Sequence, residues 1–164
     1  MLFRSNGSVK ISGVPAEEFL NQHSERIGFV SAEPLLIEGS IKDNIRYGLK
    51  FEPTDQEYEQ VLQAASMTEF IKELPDGLEH KINESGAGLS AGQKQRLGLA
   101  RALIRKPVLL ILDEISANLD VATEKEIAES ILRYKNTTVI IVSHRPEALK
   151  HVDRVIDLTA PVSA

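Results

Sequence analysis

Two stretches constrain this chain more than any other: Leu89-Ser90-Ala91-Gly92-Gln93-Lys94-Gln95-Arg96 and, shortly after it, Val108-Leu109-Leu110-Ile111-Leu112-Asp113-Glu114. A small-residue loop that opens a helix gathers free backbone N–H groups and the positive end of the helix dipole, which makes it an anion site. The second stretch is an apolar run ending in two carboxylates. It reads as a buried strand of a parallel sheet that delivers Asp113 and Glu114 to its carboxyl end, where open α/β sheets bind ligands. Together the two stretches suggest nucleotide chemistry.

Strand-like and helix-like segments alternate along the rest of the chain. Residues 8–12 alternate like a half-exposed strand and stop at Gly13. Residues 15–22 read as a short helix, 26–30 as a buried strand, and 31–41 as a loop around Pro34 and Gly39. From Thr54 onward Tyr58, Val61, Leu62 and Ala65 share one helix face, with Glu57, Glu59 and Gln60 off it. Leu74-Pro75-Asp76-Gly77 is a turn, since Pro presets φ and Gly accepts φ > 0. After the strand ending at Asp113 the pattern predicts a helix over 121–134, a strand over 137–143, a short helix near 146–150 and a closing strand over 154–158. Such alternation implies a parallel α/β sheet.

Length and charge exclude several classes. At 164 residues the chain suits one domain. Its net charge of −5, with both signs interspersed, offers no basic stripe, so no nucleic-acid partner is expected. It has no cysteine, which excludes disulfides and permits a reducing compartment. The longest apolar runs, 108–112 and 139–142, fall far short of the roughly 20 residues a membrane-spanning helix needs. Met1–Arg4 lacks the apolar core of a signal peptide. Any link to a membrane is expected to go through a partner.

Four motifs stand in a familiar order: LSAGQ at 89–93, the strand ending in Asp113-Glu114, Ser116-Ala117-Asn118-Leu119-Asp120, and His144 after Val142-Ser143. They resemble the signature motif (usually LSGGQ), Walker B strand, D-loop and H-loop of the ATP-binding cassette (ABC) family, and the resemblance runs from about Gly7 to Leu158. It implies an α/β fold: a partial P-loop NTPase-like parallel sheet with an inserted α-helical subdomain at about 54–85, followed by the signature helix, Walker B, D-loop and H-loop region at about 86–158. ATP and Mg²⁺ are the implied cofactors. Asp113 is then expected to orient the Mg²⁺ shell, mostly without binding the ion directly, and Glu114 to polarise the attacking water as general base. His144 would contact the γ-phosphate and hold the catalytic geometry. Ser90, Ala91, Gly92 and Gln93 would contact the γ-phosphate of ATP held on the opposite cassette of a dimer, and the D-loop residues Ser116 and Asp120 would reach across that dimer. Local readings stand beside these roles. Ser90 and Gln93 fit the capping box S-x-x-Q, Asp120 fits a helix cap, and a lone His is commonly structural.

Two departures from the family pattern matter. The P-loop, G-x-x-x-x-G-K-[ST], occurs nowhere in the sequence, and neither does any Gly-Lys dipeptide; the chain resembles a cassette without its front end. Ala32 stands where the Q-loop normally carries Gln, and alanine can neither touch Mg²⁺ and water nor sense a transmembrane domain. Residues 83–86, with Leu74-Pro75-Asp76-Gly77-Leu78 upstream, resemble the exporter-type loop that faces a transporter's coupling helices. The implied partners are a second nucleotide-binding domain, in a homo- or heterodimer, and the transmembrane domain of a transporter, which would place the chain on the cytoplasmic side of a membrane. The expected function is the ATP-binding and hydrolysing part of an ABC exporter. The alternatives are a non-hydrolytic pseudo-cassette that donates its signature loop to a partner cassette, and an inactive fragment.

Overall fold

A computed structural model describes residues 7–83, 86–115, 119–134, 136–145 and 152–157. Lys10–Ile11 (β1) and Val14–Pro15 (β2) form an antiparallel hairpin around Ser12-Gly13, both at positive φ. That turn interrupts the alternation from which a strand over 8–12 is predicted. There follow Ala16–His23 (α1), Ile27–Val30 (β3), Gly39–Ser40 (β4), Ile41–Arg46 (α2), Asp55–Ala64 (α3), Thr68–Glu73 (α4), Lys81–Ile82 (β5), Ala91–Leu103 (α5), Leu109–Asp113 (β6), Val121–Ile131 (α6) and Thr138–Val142 (β7). No helix among the described residues is long and apolar enough to cross a membrane.

The α/β expectation holds: β3, β6 and β7 form a parallel sheet in that order, with β6 in the middle. Two other expectations need correcting. The helix over 121–134 ends at Ile131, where the N–H groups of Arg133 and Tyr134 turn back to the carbonyls of Ser130 and Ile131, a tightened last turn that cannot continue as α-helix. Residues 154–157 form no strand; Val155 and Ile156 are exposed. Alternating apolar residues make a strand only when a partner edge accepts their backbone groups. The helix expected near 146–150 lies outside the described residues.

Helix α5 organises the core. Leu97, Leu99, Ala100, Ala102 and Leu103 are buried on it, and it packs against β3, α2 and α3. The segment carrying α3, α4 and β5 shares this single core, and β5 pairs with β4 at its base. Gly98 lets α5 approach the 31–41 loop closely: an added Cβ would lie 2.8 Å from Pro34 Cβ and 3.0 Å from its Cγ. Gly98→Ala therefore sets two effects against each other. Helix propensity favours alanine by up to about 1 kcal/mol, while overpacking against a rigid ring costs about 1–3 kcal/mol. The ring cannot swing away, so a net loss of stability is expected; chemical denaturation giving Gly98→Ala a higher midpoint would contradict this packing.

One face of the sheet, with Val30, Leu110 and Leu112, is buried. The opposite face is open. Register aligns Phe29, Ile111 and Ile140 in one row across it, and Phe29, Ile140 and Val142 are 60%, 47% and 49% exposed. Parallel sheets bury both faces in stable folds, so this face leaves apolar surface in water among the described residues.

Three helices start with reciprocal capping boxes: Ser40 with Asp43, Thr54 with Glu57, and Ser90 with Gln93. Asp120 caps α6 through the Thr123 N–H. The carboxyls of Asp43 and Asp120 are held below their ordinary range, first by these backbone hydrogen bonds. Glu57 falls from 4.5 to about 2, first through its contact with Lys106 and then through Thr54. Folded-state values below the unfolded ones mean that this stabilisation is complete above the unfolded values and is lost as pH falls through the folded ones. The melting temperature is expected to drop as pH falls from about 4.5 towards about 2. Thr54→Ala should flatten that drop, and an unchanged acid profile would remove Glu57 from the account.

Candidate functional site

The carboxyl end of β6 and the amino end of α5 are the two places where the sequence concentrates chemistry. At the first, β6 is the central strand, with Leu110 and Leu112 sealed beneath it and half-buried Asp113 at its last position, in register with Val142. By strand alternation Asp113 lies on the open face with Ile111. Glu114 follows with φ of +54°, the left-handed region that residues other than Gly rarely adopt. Such a conformation costs about 1–3 kcal/mol and persists only where surroundings enforce it, as they do at functional sites. At this residue the Glu114 N–H donates to Val142 O at 2.9 Å, which extends the β6–β7 ladder by one rung.

The same rung brings in His144, two residues beyond the end of β7. Its Nδ1 lies 2.9 Å from Glu114 Oε2, with the histidine side chain 76% exposed and that of Glu114 30% exposed. Although the distance is that of a hydrogen bond, Oε2 is buried and receives no aligned donor. The two side chains are neighbours without an aligned hydrogen bond, and Oε2 itself is closed off from solvent while part of the Glu114 side chain is exposed. A carboxylate beside an imidazole can take a proton from a water that reaches its exposed part.

No group of three or more His, Cys, Asp or Glu side chains placed to hold a metal occurs among the described residues. This donor set fits Mg²⁺ bound in its usual manner, by one or two carboxylates together with phosphates and waters. Asp113 and Glu114 would face it.

At the second place, Ser90 caps α5: the Gln93 N–H donates to Ser90 Oγ at 3.2 Å and the Ser90 N–H to Gln93 Oε1 at 2.8 Å. Capping is therefore real, and it leaves the N–H groups of Ala91 and Gly92, first in the helix, without intrahelical acceptors. Ser90 and Ala91 are exposed, Gly92 and Gln93 half-buried. The site is open to a group arriving from outside. No hydrogen bond or ion pair among the described residues joins Ser90 or Gln93 to Glu114 or His144. Asp120 stands at the α6 cap, while Ser116 lies outside the described residues.

The loop containing Ala32 is fixed to α5. Buried Gln95 donates Nε2 to Ala32 O at 2.8 Å, and its Oε1 has no partner. Farther along, Arg101 donates to Leu35 O, Asn44 O and Asn44 Oδ1 at 2.6–2.7 Å, while Asn44 Nδ2 donates to Ile37 O and Ser40 O. Motif reading passed over these contacts. Their signal was present as polar residues within buried stripes: Gln95 stands four residues before Leu99, and Asn44 stands among Ile41 and Ile45.

Comparison with known proteins agrees with this geometry. The ABC transporter family profile matches residues 2–117. The chain is 39% identical over 152 residues to "ABC transporter B family member 21" of Arabidopsis thaliana, covering 92% of this chain and 12% of that protein. It is 41% identical over 141 residues to "ATP-dependent permease MDL1" of Candida albicans, covering 84% of this chain and 20% of that one. Among solved structures it resembles a bacterial Atm1-family ABC exporter determined with ATP bound, with a TM-score of 0.79 and 29% identity over 88% of this chain and 26% of that one. It thus spans between 12% and 26% of these proteins' lengths. The profile covers the capped loop and the paired carboxylates, and the relatives repeat the likeness over most of the sequence: the chain belongs to the ABC transporter family.

Proposed function

We propose that this chain is the ATP-binding and hydrolysing part of an ABC exporter, which couples ATP hydrolysis to transport across a membrane. On this reading 54–85 is the helical subdomain and 86–158 carries the signature helix, Walker B strand, D-loop and H-loop. What supports it most is Glu114, held at positive φ at the tip of the central strand, 2.9 Å from His144, with an undonated oxygen. Bound Mg·ATP supplies the γ-phosphoryl group and the charge that its transfer to water requires. Phosphoryl transfer then asks of the protein mainly positioning and charge stabilisation. Glu114 orients a water and accepts its proton; His144 steadies Glu114 and faces the phosphate. Asp113 orders the waters around the ion. The α5 amino end offers N–H groups and the Ser90 hydroxyl to the γ-phosphate of ATP carried by a second nucleotide-binding domain. A transmembrane domain is the other partner, and the chain works on the cytoplasmic side of the membrane.

These residues contain no P-loop, whose N–H cradle and Lys supply the ground-state phosphate contacts. A second reading follows from Ala32, which has no side chain for Mg²⁺, water or a coupling signal: a pseudo-cassette that lends its signature loop without hydrolysing. In either case the 164-residue polypeptide alone is expected to show no measurable ATP turnover and only weak binding. Mg²⁺-dependent hydrolysis by the purified polypeptide that disappears in Glu114→Gln would overturn the expectation that it is inactive alone and the pseudo-cassette reading with it, whereas a P-loop-bearing cassette whose turnover is unchanged in Glu114→Gln would overturn the hydrolytic reading.

A further inference from the structure

Helix α6 carries a carboxylate where its apolar stripe should continue. Ile127 and Ile131 are buried three and seven residues beyond Glu124, whose side chain is only 12% exposed. Charged side chains are almost never so buried unless paired, yet the pairing here is loose. Oε2 lies 3.6 Å from Arg145 Nη1, and buried Oε1 has no partner among the described residues. Glu124 and Ser143 are the polar lining of an otherwise apolar cavity of about 40 Å³ between α6 and the ends of β6 and β7. A pair of this kind is poor stabilisation, since buried ion pairs are often matched or exceeded by apolar side chains of similar size. Its placement suggests another use. Arg145 directly follows His144, and its N–H donates to Ser143 Oγ at 3.0 Å, closing a small turn that carries the imidazole.

We propose that Glu124 is a positioning residue for His144: through Arg145 it holds the 143–145 turn against α6, so that the imidazole stands opposite Glu114. The role rests on the reading of Glu114 and His144 as the hydrolytic pair.

The test separates positioning from stability. Imidazole carbon–proton NMR signals of the full chain are recorded with His23 and His80 as internal references and Glu114→Gln as the control that identifies the signal sensitive to the pair. Glu124→Met removes the charge and fills the cavity. It should keep or raise the melting temperature, while the His144 signal loses most of its displacement and narrows towards that of a free histidine. Arg145→Gln, changed at a side chain 35% exposed, should produce the same loss without touching the core, and Glu124→Asp should restore part of it. A His144 signal unchanged in both Glu124→Met and Arg145→Gln, or one that moves only in step with a falling melting temperature, would overturn the proposal. The measurement needs no nucleotide. A negative result leaves the ATP-site reading standing, and a failure of that reading leaves the Glu124 contact standing.

Discussion

Glu114→Gln, in a cassette completed with a P-loop, is expected to abolish ATP turnover while ATP binding is retained. The amide preserves the size and the strained backbone position of the side chain but cannot accept a proton, and a positioned general base contributes about 10²–10⁴-fold. His144→Ala should slow turnover by on the order of 10²-fold, the loss seen when one preorganised stabilising donor is removed. With only 2.9 Å between the two side chains, the losses should not add: the double variant should be little worse than Glu114→Gln alone, as for residues acting as one unit. Steady-state hydrolysis measured beside equilibrium ATP binding checks all three variants. Wild-type turnover in either single variant would remove that residue from the hydrolytic pair.

The parts of the fold legible in the sequence were those governed by local chemistry. Ser90 and Gln93 could be read as a cap because a capping box is complete within four residues, and the run into Asp113 could be read as a buried strand because Val108 to Leu112 are all apolar. What escaped depends on residues distant in sequence. The positive φ of Glu114 and its N–H bond to the Val142 carbonyl are announced by no propensity of Glu. Gln95 is buried and holds the Ala32 loop, a role that no local pattern reveals. The contact of Glu124 with Arg145 becomes visible only once β7 lies beside β6. The strand expected over 154–158 failed at 154–157 for the reverse reason, since its pattern was adequate and a pairing edge was lacking.

Completion of the site from outside is the central claim, and it rests on the amino end of α5. On the proposed reading the Gly92 N–H and the Ser90 hydroxyl meet the phosphate of a nucleotide held by another cassette, so affinity should appear only when that cassette carries the nucleotide. Ser90→Arg places bulk and charge at that contact and also deletes a cap; Ser90→Ala deletes the cap, at about 1 kcal/mol, and one hydroxyl while leaving the backbone N–H groups, and serves as its control for both losses. The direct measurement mixes the chain with an intact exporter-type cassette whose own signature loop has been inactivated, and follows association by analytical ultracentrifugation with and without ATP. Heterodimers that form with ATP, survive Ser90→Ala and weaken by about tenfold or more, roughly 1.4 kcal/mol, in Ser90→Arg are the predicted result. Equal association with and without ATP, or no effect of Ser90→Arg, would leave Ser90 as a helix cap and contradict the claim.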